Sequence, residues 1–124
     1  MGCAYSGAKN GEKPPWCVYQ VGAMGIWEAQ LLAVDDGKLK WRTDQSLYTM
    51  PRDKLGALVK SMAGWRVMKL DNVSAVTDGD APRGYPTWKT IVITGAEKTL
   101  KVHVATDVEK NAIMTFIKEA AGKN

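Results

Sequence analysis

The side chains best suited to covalent chemistry stand in the opening run Met1-Gly2-Cys3-Ala4-Tyr5-Ser6. The run fits the N-myristoylation pattern: removal of Met1 leaves Gly2 as the amine that takes the acyl chain, and Ser6 holds the favoured small hydroxyl position. Cys3, beside it, is the thiol for a second, reversible acylation, because the first chain brings it to the membrane. Two chains are needed on physical grounds. One myristoyl group binds only marginally, about 10⁴ M⁻¹, and each further buried CH₂ adds roughly 0.8 kcal/mol. A polybasic stretch could replace the second chain, but Lys9 and Lys13, opposed by Glu12, do not make one. The expectation is a chain held to the cytosolic face of the plasma membrane through Gly2 and Cys3. Cys17, the only other cysteine, could pair with Cys3 in principle, but an intracellular chain with a full core needs no staple, and both are read as thiols.

Other reactive residue types are sparse. His103, the one histidine, alternates with Val102 and Val104 and so shares a face with Lys101, which predicts a solvated ring. With no cysteine near it, neither a metal site nor histidine-based catalysis is expected, and no cofactor or enzymatic constellation is found. Asp78-Gly79-Asp80 has the opening of a calcium loop but lacks the later ligands, so an ordinary turn is expected. Lys38, Lys40 and Arg42 make a basic row on one strand, a solvated face that could touch anionic lipid. The five Trp residues, Trp16, Trp27, Trp41, Trp65 and Trp88, lie in or next to strands and are expected in the core, where exposure of one would mark a binding face.

A chain of 124 residues with 45% hydrophobic and 24% charged residues is long enough for one core and has the composition of a folded domain. Its formal charge of +4 is spread along the sequence, which favours anionic surfaces weakly and gives no reason to expect nucleic acid as a partner. No apolar run approaches a membrane span.

The elements that position these residues follow from periodicity. Residues 1–15, rich in Gly and ending in Pro14-Pro15, lack apolar periodicity and read as a flexible acylated tether. Residues 16–124 then form the domain. Strands are expected at Trp16–Val21, Trp27–Val34 and Lys38–Thr43, the last two joined by a hairpin at Asp35-Asp36-Gly37. Leu39 and Trp41 would face the core and Lys38, Lys40 and Arg42 the solvent. Leu55, Leu58, Val59 and Met62 recur at helical spacing, so a short helix is expected over 51–64, begun by Pro51 and closed by Gly64. Further strands are expected at Val67–Leu70, Val73–Thr77, Trp88–Thr94 and Thr99–Ala105, with a surface loop over 78–86 and a hairpin at 95–98. Thr106 and Glu109 form a capping box that opens a final helix, with Ile113, Phe116, Ile117 and Ala120 on one apolar stripe.

From Trp16 to Ala121 this order resembles the pleckstrin-homology (PH) family. Trp27-Glu28-Ala29-Gln30-Leu31 through Leu39-Lys40-Trp41 is similar to its second and third strands, and Met68-Lys69-Leu70 with Val73 and Val76 to its fourth and fifth. The last two strands and the closing helix also correspond, with Phe116 where the family usually has Trp. The resemblance implies a mainly β (α+β) fold, a seven-stranded bent antiparallel barrel capped by a C-terminal α-helix, with the 51–64 helix inserted. It also implies phosphoinositide binding through basic residues of the first two strands. Here the sequence departs from the pattern, since Trp27-Glu28-Ala29-Gln30 replaces Trp-Lys-x-Arg and residues 17–26 hold no Lys or Arg. A phosphate site needs converging positive charge, and Glu28 opposes it. The expected function is therefore a non-enzymatic, membrane-anchored adaptor whose PH-like domain binds a protein partner. The alternative is a phosphoinositide or anionic-lipid sensor working through Lys38, Lys40 and Arg42. The Met-Gly-Cys start also resembles that of dual-acylated flagellar-membrane proteins of kinetoplastid protists, which would place the chain at a flagellar membrane.

Overall fold

The turn between Asp35 and Lys38 shows how local chemistry sets the sheet. Asp36 and Gly37 take φ of 51° and 71°, the left-handed pair that a two-residue hairpin between right-twisted strands requires. That turn brings β2 (Trp27–Asp35) against β3 (Lys38–Arg42), with Val34 opposite Leu39 and Leu32 opposite Trp41. The computed structural model describes residues 13–22, 24–43, 59–60 and 64–122. The remaining described elements are β1 (Trp16–Val21), β4 (Arg66–Lys69), β5 (Ala75–Gly79), β6 (Lys89–Thr94), β7 (Thr99–Val104) and the helix α1 (Asp107–Ala120).

The seven antiparallel strands form one curled sheet in the order β4-β3-β2-β1-β7-β6-β5. β1 is the hinge of this arrangement. It pairs with β2 along six positions and with β7 at Tyr19 and His103, and so joins a four-stranded half to a three-stranded half. The sheet curls around an aliphatic core that includes Val18, Leu32, Leu39, Ile91, Ile93 and Val102. The mainly β fold with a C-terminal helix is thus the one expected, and it is consistent with a PH-like architecture.

α1 caps the open side. The Thr106 hydroxyl oxygen accepts from the Glu109 backbone N–H at 3.2 Å, and the same hydroxyl donates to Glu109 Oε1 at 2.9 Å. Asp107 and Glu109 in the first turn and Lys118 in the last complement the helix dipole. Ile113, Met114 and Ile117 face the core, and Phe116 meets Trp16 edge-on with ring centroids 5.5 Å apart. Ala120, expected on this stripe, is exposed. Lys110 ties the helix to β5 through Asp78 Oδ1 at 2.7 Å. That hydrogen bond, ahead of the opposing effect of burial, raises the lysine's pKa.

Most strands differ by one residue, at one end or both, from those read in the sequence, and the ends around residues 66–79 differ most. Leu70–Asn72 form a 3-10 turn, with the Leu70 N–H bonded to the Gly37 carbonyl. Val73 is buried but precedes the strand, so β5 begins at Ala75 and runs to Gly79, taking in two residues assigned to the loop. Of the helix expected over 51–64, Val59 and Lys60 are helical and Gly64 has φ of 78°, while 51–58 and 61–63 lie outside the described residues. So does most of the expected tether, Gly2 and Cys3 included.

Candidate functional site

The basic row on β3 has the expected period, but its surroundings are not solvent. Lys38 is half-buried, Lys40 is 1% exposed, and Arg42 is half-buried. The Lys40 ammonium donates to the Val59 carbonyl, lies 4.0 Å from Asp35 Oδ2, and stands 5.0 Å from the centroid of the Trp65 ring. The Arg42 guanidinium lies over the same ring at 5.6 Å. Trp65 and Val59 come from the long β3–β4 connection and cover the face that alternation alone assigned to water. The row is therefore packed into a wall, with the lysine stem covering apolar surface and its head held by a carbonyl and a carboxylate.

This wall continues into an aromatic layer on the outer face of the sheet. Cys17, Tyr19, Ala29 and Leu31 point outward from β1 and β2, and Trp27, Trp65 and Trp88 pack over them. Trp27 is the centre of the layer, 4.8 Å from Trp88, 4.7 Å from Tyr85 and 5.7 Å from His103, centroid to centroid. Trp16 and Trp41 occupy the inner core, whereas Trp27, Trp65 and Trp88 are half-buried in this second layer.

His103, expected in solvent with Lys101, is buried beneath the layer. Its Nδ1 lies 2.8 Å from Thr90 Oγ1, and Thr90 Oγ1 lies 2.8 Å from the Asp80 carbonyl. The carbonyl only accepts, so the single Thr90 proton goes to Asp80, which assigns the Nδ1 proton to His103 as donor to Thr90. Burial, and then the charge of Lys101, lower the histidine's pKa and disfavour its charged form. Gly79, opposite Thr90, leaves the room this requires: a Cβ there would come within 2.8 Å of Thr90 Cγ2. The three-residue chain fastens the β5–β6 loop to β7. Its groups are bonded to one another beneath the aromatic layer, an arrangement suited to holding a loop.

The surface that sequence reading missed is the β1–β2 turn. Met24 is 88% exposed, Ile26 60% and Val21 38%, and Tyr85 from the β5–β6 loop, in edge contact with Trp27, is 43% exposed. The signal was present in residues 17–27, which carry no charged side chain, but it was read only as a missing headgroup site. Glu28, where the PH family has a basic residue, is exposed opposite Gln20, and Gln30 is buried. A second, open groove of about 680 Å³ runs along the outer side of α1, lined by Lys13, Val108, Ala112, Thr115 and Phe116.

Cys17 corrects the reading of both cysteines as thiols: it is disulfide-bonded, and no described cysteine is free. Its partner lies outside the described residues. Among the described residues no group of His, Cys, Asp and Glu could hold a metal ion. No helix among them is long and apolar enough to cross a membrane. The chain matches no family model, and no curated protein sequence matches it.

Proposed function

We propose that this chain is a membrane-tethered, non-enzymatic adaptor, anchored by an acyl group on Gly2 and, in molecules whose cysteines are reduced, by a second on Cys3, whose PH-like domain engages a protein partner. One observation carries the reading. The β1–β2 hairpin, where a headgroup-binding PH domain concentrates Lys and Arg, has no positive charge and presents exposed Glu28 and apolar side chains instead. Headgroup-specific affinity is then not expected, the acyl chains supply the main attachment to the membrane, and a flagellar membrane is the specific location the Met-Gly-Cys start suggests. A lipid sensor built on the β3 row has less support, since Lys40 is buried and Lys38 and Arg42 are half-buried.

Cys3 and Cys17 are the chain's only cysteines, so within one molecule a disulfide at Cys17 and a thioester at Cys3 exclude each other. Acylation at Gly2 is unaffected by this. The test is localisation of Gly2→Ala and Cys3→Ala variants in cells, with mass spectrometry of the mature N-terminus and of Cys17. The expected result is an acylated Gly2, loss of membrane localisation in Gly2→Ala, and Cys17 as a thiol in every molecule that carries an acyl group on Cys3. An unmodified Gly2, or selective binding of phosphoinositide vesicles by the unacylated chain, would overturn the proposal.

A further inference from the structure

We infer that the tip of the β1–β2 hairpin, with Tyr85 beside it, enters the apolar layer of a membrane and gives the domain a second, non-covalent contact with the bilayer. This adds to the membrane-tethered reading, but it stands on the tip's own side chains. Val21, Met24 and Ile26 project from a single turn, and no charged residue lies between Cys17 and Trp27, so nothing charged need enter hydrocarbon. The turn also supplies hydrogen bonds to its own backbone. The Gly22 N–H donates to the Ile26 carbonyl at 2.9 Å and the Gly25 N–H to the Gly22 carbonyl at 2.9 Å. A loop that leaves water does best with its peptide groups paired internally, and these two bonds pair four of them across its neck.

The groups behind the tip are those suited to the interface. Trp27 and Tyr85, in edge contact at 4.7 Å, stand where the tip meets the body, and Trp and Tyr rings favour the headgroup level. Exposed Glu28 follows Trp27 directly and limits the depth of entry. Gln20 donates to the Lys101 carbonyl at 3.3 Å, which places exposed Lys101 beside the hairpin's base. Arg83, also exposed, lies two residues before Tyr85. With a net charge of +4, these cations direct the tip to an anionic leaflet.

The protein partner of the adaptor reading is then left to another face of the domain. The tip offers four large exposed side chains, whereas a stable protein interface uses about 20–30 residues on each side. A few apolar side chains suffice for entry into a bilayer, since each one buried adds about tenfold or more to partition.

The test uses the full-length Gly2→Ala chain, which cannot be myristoylated, so its outcome is separate from that of the acyl anchor. Binding is measured by co-sedimentation with phosphatidylcholine vesicles, with and without phosphatidylserine, and with a phosphoinositide at matched charge. Tryptophan fluorescence with brominated-chain lipids reports depth. The expected result is binding that rises with phosphatidylserine, is the same for the phosphoinositide at equal charge, and brings quenching by the brominated lipid. Met24→Ser with Ile26→Ser should weaken it about a hundredfold. Met24→Trp should strengthen it, and Val108→Ser, on the far face of α1, should leave it unchanged. Absence of vesicle binding, or equal binding by the double serine variant, would overturn the inference. So would a dimer in solution that the serine variants dissociate, which would assign the tip to a second copy of the chain.

Discussion

The inner and outer faces of β1–β3 are both covered, but by different means. The inner face packs Trp16, Val18, Leu32, Leu39 and Trp41 against strands and a helix that share the same curled sheet. The outer face packs Tyr19, Leu31 and the stem of Lys40 against Trp27, Trp65, Trp88 and His103, with polar heads bonded to carbonyls and a carboxylate. The first face is what any sheet needs in order to fold. The second exceeds that need, since one face of an antiparallel sheet is commonly left to water. It holds Val59, Trp65 and the β5–β6 loop in place, and Tyr85 of that loop stands beside the exposed tip.

The comparison breaks first if the inner face is not the main source of stability. Trp16 is fully buried against Phe116, so Trp16→Ala should cost about 3–5 kcal/mol in urea unfolding. Trp27→Ala, on the half-buried layer, should cost less than about half of that. Equal losses would mean that the two faces form one cooperative core.

The outer wall is tested at Lys40. If the lysine is packed rather than solvated, Lys40→Ala should lose about 2 kcal/mol, through the removed stem and the orphaned Val59 carbonyl. Lys40→Met, which keeps the stem and removes the buried charge, should lie within about 1 kcal/mol of wild type. If the alanine variant is also within about 0.5 kcal/mol, the wall is not a packed layer.

This contrast also shows what the sequence made legible. Alternation in Lys38-Leu39-Lys40-Trp41-Arg42 identified the strand, its register and the inward pair, because those depend on near neighbours. It could not reveal that Trp65 and Val59, more than fifteen residues away, would fold back over the other side. His103 misled for the same reason: Lys101 on its face is in solvent, but Trp27 arrives from β2 to cover the ring. The capping box at Thr106 and the turn at Asp36-Gly37 were readable because each is complete within a few residues. The tip is legible in composition, as a run from Cys17 to Trp27 without a charged residue, but composition does not say whether such a run is buried or exposed.

A smaller effect is expected in the chain from Asp80 through Thr90 to His103. Thr90→Val leaves the Asp80 carbonyl and the histidine N–H without their bonds and should cost roughly 1–2 kcal/mol. The same site contributes a pH dependence whose sign follows from the lowered pKa. Well above the unfolded value of about 6.5 the ring is neutral in both states and this site adds no pH dependence. Below it, the unfolded chain binds a proton that the folded ring resists, so stability falls as pH falls from the unfolded value toward the folded one. His103→Gln should flatten urea midpoints between about pH 7 and pH 5 relative to wild type. A slope unchanged by the substitution would place the titrating group elsewhere.

The smallest expected effect is at the tip, and it separates a surface kept for folding from one kept for contact. Met24 is 88% exposed and belongs to neither packed face, so Met24→Ser should shift the unfolding midpoint by no more than about 0.5 kcal/mol. A loss of 1 kcal/mol or more would show that Met24 supports the edge contact of Trp27 and Tyr85 and is part of the outer layer. With stability unchanged, any loss of vesicle binding by this variant belongs to the contact itself. The two faces of the sheet then serve to hold a turn whose own side chains add nothing to the fold.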